Sequence, residues 1–549
     1  MAKVKPGQPF GLDPEWIKRI DWQLALARVT QDLRSDFVYS PHLSFVYAKV
    51  GDQLLAQVKK ELEDGKFSPG VPMTIEVPKT FRIQVAVPSK RLGPSYSRPG
   101  SILLPKDRLL YQALADQAAP IIDAKTDHDR SFSHRLAKAD NPTMFVPTRT
   151  CWSRLQKANA DYAKQSSVKY ILRLDIANFF GSLNQHTLIN VLNDVGYPSA
   201  LSSRLECLLT GYVGERSSRG ILQGMCPSDL LGNFYLTPID QFLKELNVPS
   251  ARYVDDLYLF VESVDAADQL LRKLIPELRS YDLVLNEAKS KIMPASALIA
   301  EEPDLEKLFN TAVEEISAQI EEDDFDADYG FQSEWDDADS NEGGDSDDDT
   351  EELELAATKL LFDSISEYPG YEENIERFCL PLFARSRSDY AVAHVLDAFR
   401  KRPSMSQIYA AYLVGFLNDH DVSIFLVDEL ENSSLMDWQK MWVLAALLQA
   451  KEEAVGGVKA ALDVFQDASR HEALRAAAAI YVGRFGDHGR RKSLRTMYPS
   501  SSPYIQAAIY FSSRTWPTAE RLTAASSWGA HSPLNLLLTA AMESGKKTK

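Results

Sequence analysis

Residues 252–260 carry two adjacent carboxylates, Asp255 and Asp256, between apolar runs rich in Tyr, Val and Leu. That pattern predicts a β-hairpin with acid at its tip. Two like charges side by side on a tight turn repel unless a cation lies across from them, and a divalent ion is a natural partner. A further acid, Asp175, comes at the end of residues 170–176, which read as a buried strand. An ionised carboxylate in such a place needs a partner, although a lone Asp there would ordinarily be read as a strand-end cap. Between these acids, Gln223 and Gly224 precede Pro227 and Ser228, which open a helix with Leu230, Leu231, Phe234 and Tyr235 at helical spacing. A Gly before a helix lets another backbone or a base approach closely. The chemistry these residues suggest is metal-assisted.

In this order the residues resemble the reverse transcriptases. Tyr253-Val254-Asp255-Asp256 resembles the palm signature of that family, with the expected Asp upstream and the Gln-Gly segment between. The resemblance runs from about residue 80 to 295. It implies an α+β right-hand polymerase, with fingers and palm, that adds deoxynucleotides as an RNA-directed DNA polymerase. It also implies that Asp175, Asp255 and Asp256 hold two Mg²⁺, with Mn²⁺ as a substitute, and that Ile176 joins the metal set. Lys289, in residues 283–292, aligns with the family's Lys that protonates the leaving pyrophosphate. By the same resemblance Lys90, Arg98, Phe180, Gln223 and Gly224 meet the nucleotide and Arg135 meets the template. Phe180 is the aromatic five residues after Asp175 that excludes a 2′-hydroxyl, and Phe179 beside it is assigned to the core. The implied partners are a nucleic-acid template, expected to be RNA and to include a dedicated non-coding RNA, and dNTPs.

The elements that must position these residues follow from patterning. Helical spacing marks residues 13–35, and residues 81–90 alternate like a strand. With residues 98–114 they resemble the family's fingers, where a basic strand pair is followed by a Pro, an Asp-Arg and a helix. The expected division is an N-terminal helical extension over 1–80, fingers over 81–165, palm over 166–299, and a helix with an acidic disordered linker over 300–354. A helical domain with a thumb-like start fills 355–549. In that last stretch residues 390–399, 407–417, 438–450, 458–465 and 471–481 show Ala- and Leu-rich faces, which suggests a HEAT-like helical repeat, with an irregular bundle as the alternative.

Composition narrows the reading. A chain of 549 residues exceeds one core and predicts two or three domains. The net charge of −17 argues against a nucleic-acid partner only on average. Residues 321–354 hold 18 Asp or Glu and no Lys or Arg, which leaves the remainder at about +1. That run reads as a linker without a core, or as a mimic of nucleic acid. Cys151, Cys207, Cys226 and Cys379 form no Cys-x-x-Cys pair and are expected to be plain thiols. No apolar leader or membrane span is visible, so the expectation is a cytoplasmic protein with no membrane partner.

A helical C-terminal half in place of a nuclease or a basic maturase region resembles the bacterial defence-associated and abortive-infection reverse transcriptases. This resemblance implies an antiviral role and self-association through the helical domain. Retron and group II intron enzymes, and a catalytically dead polymerase fold used as a scaffold, are the rival readings.

Overall fold

The computed structural model describes residues 8–83, 94–213, 217–298, 308–309, 311–313 and 348–544, and the chain divides into two compact units. The first unit comprises Met1–Phe37, Leu43–Thr74 and Gly100–Glu301. It opens with α1 (Pro14–Arg19) and α2 (Trp22–Asp32). Asp13 and Asp21 start these helices by accepting from the N–H of Glu15 and Leu24, donors that have no partner inside a helix. After α3 (Pro41–Glu63), β1 (Met73–Arg82) pairs with β2 (Ser95–Ile102), and residues Ile75–Pro99 of this pair belong to the second unit. A strand therefore begins before the one expected over 81–90, of which residues 84–90 lie outside the described residues, and the N-terminal extension is not helical as far as residue 80. Lys90 falls outside the described residues.

Two helices, α4 (Pro105–Lys125) and α5 (Thr148–Ala163), lead to β3 (Tyr170–Asp175). Short helices follow: α6 (Phe179–Ser182), α7 (Gln185–Asp194), α8 (Ser199–Tyr212), α9 (Cys226–Tyr235) and α10 (Thr237–Glu245). The hairpin β4 (Ser250–Tyr253) and β5 (Asp256–Val261), then α11 (Val264–Ser280), β6 (Lys291–Pro294) and α12 (Ala295–Leu298), complete the unit's named elements. The sheet is antiparallel in the order β4-β5-β3-β6. Its strands alternate as a two-sided sheet must. Ile171, Tyr258 and Phe260 pack with Phe132 and with Leu155 of α5. Leu174 instead meets Leu271, Ile275 and Leu278 of α11 around a cavity of about 300 Å³. Apolar cover on both faces explains why β3 reads as a nearly continuous apolar run.

The second unit comprises Val38–His42, Ile75–Pro99 and Glu302–Lys549. Its described part beyond residue 347 is helical. The first helix there, α13 (Asp348–Asp363), starts inside the acidic run, so the linker expected to reach residue 354 ends sooner. Leu353 and Ala357 are buried, and that apolar face accounts for the order of the run's last residues. The rest of the run lies outside the described residues. Subsequent helices include α14 (Glu372–Arg385), α15 (Ser406–Leu413), α16 (Asp437–Leu447), α17 (Glu472–Phe485), α18 (Pro503–Ser512) and α19 (Pro533–Ser544). Each of these packs on the next, with a further helix between most of them. A buried carboxylate, Glu376, ties two of them together. Tyr409 donates to its Oε2 at 2.6 Å, His394 stands 2.6 Å from its Oε1, and Arg402 pairs with the same oxygen.

All four cysteines are free. Among the described residues no helix is long and apolar enough to cross a membrane.

Candidate active site

Register brings the acids together. Asp175, the last residue of β3, lies opposite Asp256, the first residue of β5, and Tyr253 pairs with Asp256 across a two-residue turn of Val254 and Asp255. Directly opposed residues share one face of a sheet, so Asp175 and Asp256 point to the same side. The turn itself is strained. Val254 has φ +52, as the first central residue of a type II′ turn requires, in a position that usually falls to Gly. A β-branched residue there costs about 1–2 kcal/mol and persists only where the surroundings force it.

The surroundings are a buried polar network. The Val254 N–H donates to Ser133 Oγ at 2.8 Å, and Arg252 Nη1 donates to the Val254 carbonyl at 3.2 Å. Arg252 is 2% exposed and forks onto Asp240 at 2.8 Å from both Nε and Nη2. Its Nη1 also reaches Asn233 Oδ1 at 2.6 Å, an oxygen that accepts from Ser131 and Ser133 as well. A loop, two helices and a strand are thereby locked behind the turn. None of Ser133, Asn233, Asp240 or Arg252 was singled out from sequence, where nothing marks the Arg252 charge as one paired inside the core.

The carboxylates differ in their surroundings. Asp175 Oδ1 accepts from Lys289 Nζ at 2.9 Å, and its Oδ2 accepts from Asn286 Nδ2 at 2.8 Å. The backbone repeats this link, with the Asn286 N–H donating to the Asp175 carbonyl at 2.7 Å. Burial pushes Asp255 up to about 6, and the neighbouring Asp256 and Asp175 add to the rise, while Lys289 opposes it. Burial also raises Asp256, against the pull of Arg173. Ile176 is buried, and its N–H donates to the Asp255 carbonyl at 3.3 Å, which fastens the strand end to the turn.

Other sequence-derived candidates take several positions. Phe179 is buried and Phe180 is partly exposed, their rings edge to face at 5.3 Å. Phe180 lies against Gly232, where a Cβ would stand 2.8 Å from its ring. Gly224 has φ +87, and a Cβ there would come 2.6 Å from the Phe37 ring, so a side chain of the protein occupies the space this glycine leaves. Gln223 is partly exposed, and its carbonyl accepts from the Ser101 N–H at 3.3 Å. Arg98 is exposed on β2, in the part of that strand assigned to the second unit. Arg135 turns back on its own loop, donating to the Ser131 and His128 carbonyls over the Phe132 ring. Its guanidinium braces the loop that carries Ser133.

Residues 88–319 match the model of the family described as reverse transcriptase (RNA-dependent DNA polymerase). They form a reverse transcriptase domain. Among solved structures, telomerase from Candida tropicalis in complex with a fragment of telomeric RNA is 10% identical over 72% of this chain and 68% of its own, with a TM-score of 0.30. Apo telomerase from Candida tropicalis is 11% identical over 89% of this chain and 74% of its own, with a TM-score of 0.29. No curated protein matches the chain.

A reverse transcriptase domain implies a divalent cation. Among the described residues, no three acidic, His or Cys side chains already stand arranged to enclose one. The chemistry of the donors nevertheless fits. Asp175, Asp255 and Asp256 are carboxylate oxygens suited to a hard ion, and their mutual repulsion is what a cation would relieve. These three, with the Ile176 backbone, are the residues that would hold it, and Lys289 occupies the Asp175 oxygen for which it would compete.

Proposed function

We propose that this chain is an RNA-directed DNA polymerase that extends a primer with deoxynucleotides by two-metal phosphoryl transfer. The observation that carries the reading is the placing of Asp175, Asp255 and Asp256 at one end of the β3–β5 pair, on a turn held by a buried network. Bound cations would supply Lewis-acid stabilisation of the charge on the reacting phosphate. Phe180, Gln223 and Gly224 receive the nucleotide, and Lys289 stands within reach of the carboxylates to deliver a proton to the leaving pyrophosphate. The resemblance of the fingers strands assigns Lys90 and Arg98 to the triphosphate. Arg135, whose guanidinium is already engaged, supports the template side through its loop rather than by direct contact.

The helical second unit supports two further proposals. Successive helices α14 to α19 start about 30 to 35 residues apart and pack in chain order, as a HEAT-like repeat does, which offers a surface for self-association. With the resemblance to defence-associated enzymes, this architecture favours a role against phage. The template is RNA, with a dedicated non-coding RNA as the candidate source.

The test is primer extension on an RNA template with Mg²⁺ or Mn²⁺. Asp175→Ala and Asp255→Ala are expected to abolish incorporation while retaining the parent's melting behaviour. Parental rates in either variant would remove the site assignment, and the absence of incorporation by the parent would favour the scaffold reading. Phage plating on cells with and without the active gene tests the defence role.

A further inference from the structure

Helix α9 begins without a cap of its own. Its cap residue, Met225, makes no side-chain hydrogen bond, so acceptors for the first-turn N–H groups must come from elsewhere. One comes from a residue 194 positions away. Asp32, the last residue of α2, accepts from the Cys226 N–H at 3.1 Å through Oδ2 and from the Cys226 thiol at 3.1 Å through Oδ1. A carboxylate at this end of a helix is favoured by the helix dipole as well as by the bond. Asp32 is itself oriented by Arg108 Nη2 at 2.9 Å, and the 2%-exposed Arg108 uses Nη1 to hold Asp36 at 2.6 Å.

The same segment grips the preceding turn a second time, since the Phe37 ring fills the space that Gly224 leaves by lacking a Cβ. Opposing contacts complete the hold. The Ser101 N–H takes the Gln223 carbonyl, and Tyr111 Oη meets Ser228 Oγ at 3.0 Å. Residues 223–228 are therefore pinned at four points, two of which come from residues 32–37. The sequence around Asp32 carries no motif of its own, and its role is visible only in three dimensions.

We propose that Asp32 is a positioning residue for the incoming deoxynucleotide, capping α9 from the end of α2 and so fixing the Gln223–Gly224 turn in its receiving form. This rests on the reading of that turn as part of the nucleotide site. A loosened turn would bind nucleotide less well while leaving the carboxylates of β3 and the β4–β5 hairpin in place. The loss should therefore fall on KM rather than on kcat.

Primer extension by the full chain on poly(rA) primed with oligo(dT), with dTTP varied, tests this. Asp32→Ala is expected to raise KM about fivefold, the kinetic equivalent of losing a cap of ~1 kcal/mol, with kcat within about twofold of the parent. Asp32→Asn keeps an acceptor for the Cys226 N–H and should restore most of the affinity. Amide hydrogen exchange on the nucleic-acid-free protein gives a second readout, with faster exchange across residues 224–228 in Asp32→Ala and near-parental exchange in Asp32→Asn. Should Asp32→Ala fail to fold, Asp32→Ser carries the same expectations, because it is polar beside Arg108 but too short to reach the amide. A parental KM, a loss confined to kcat, or unchanged exchange across 224–228 overturns the proposal. Failure of the polymerase reading is distinguishable, since the parent would then incorporate no nucleotide while the exchange difference between Asp32→Ala and the parent persisted.

Discussion

Phe179 and Phe180 are neighbours on the turn after Asp175, and burial separates their roles. With Phe179 in the core and the Phe180 ring partly exposed against Gly232, removing each should cost different things. Phe180→Ala is expected to admit ribonucleotides while keeping much of the deoxynucleotide activity, because a steric barrier to the 2′-hydroxyl is lost rather than a contact with the right sugar. Phe179→Ala should leave sugar choice alone and destabilise by about 3–5 kcal/mol. Incorporation of rNTP and dNTP by the two purified variants, measured side by side, decides the matter, and unchanged discrimination in an active Phe180→Ala enzyme would remove the barrier. Val254 shows a different single-residue economy. Its left-handed backbone is tolerated because Ser133 and Arg252 hold both of its peptide groups, so the acids beside it are presented by a turn that cannot relax.

At the scale of elements, β3 and the hairpin were legible because apolar runs bounded by acids have few other readings. Helix α9 was legible from Pro227 and Ser228 at its start and from the spacing of Leu230, Leu231, Phe234 and Tyr235. The first fingers strand begins at Met73, earlier than its alternation suggested, whereas the second falls where residues 98–104 placed it, ahead of the helix from Pro105. The supports of the site were not legible at all. Arg252, Asn233 and Asp240 are ordinary polar residues in sequence, and only tertiary packing shows that each satisfies the others. Helix α4 carries a similar hidden charge. Asp107 is buried, accepts from the Gly70 N–H at 2.9 Å, and is pushed up to about 7, chiefly by burial. It ionises near 3.8 when unfolded and near 7 when folded, so its contribution to stability is fully present below pH 3.8 and is lost as pH rises through 7. Asp107→Asn, which keeps an acceptor for Gly70, should match the parent near pH 4 and exceed it at pH 8 by on the order of a few kcal/mol. Denaturant unfolding at the two pH values reads this directly, and a constant difference across the range would assign the effect to packing instead.

At the scale of the whole molecule, charge is distributed very unevenly. Residues 321–347 contain 13 acids and no base, and without them the net charge would move from −17 to −4. Deleting them should strengthen binding to a single-stranded RNA oligonucleotide at low salt, with the gain shrinking as ionic strength rises and the Debye length falls. Equal affinities at low salt would leave the run no shielding role. A related economy operates inside the site, where Lys289 rests on the carboxylate that a metal would claim. Asp175 thus has a cationic partner within the chain itself. Withdrawal of divalent ions by a chelator should silence the enzyme without unfolding it, and returning the ions should restore it in full. A cell could then hold such an enzyme intact and idle, its readiness set by ion and substrate supply rather than by fresh synthesis.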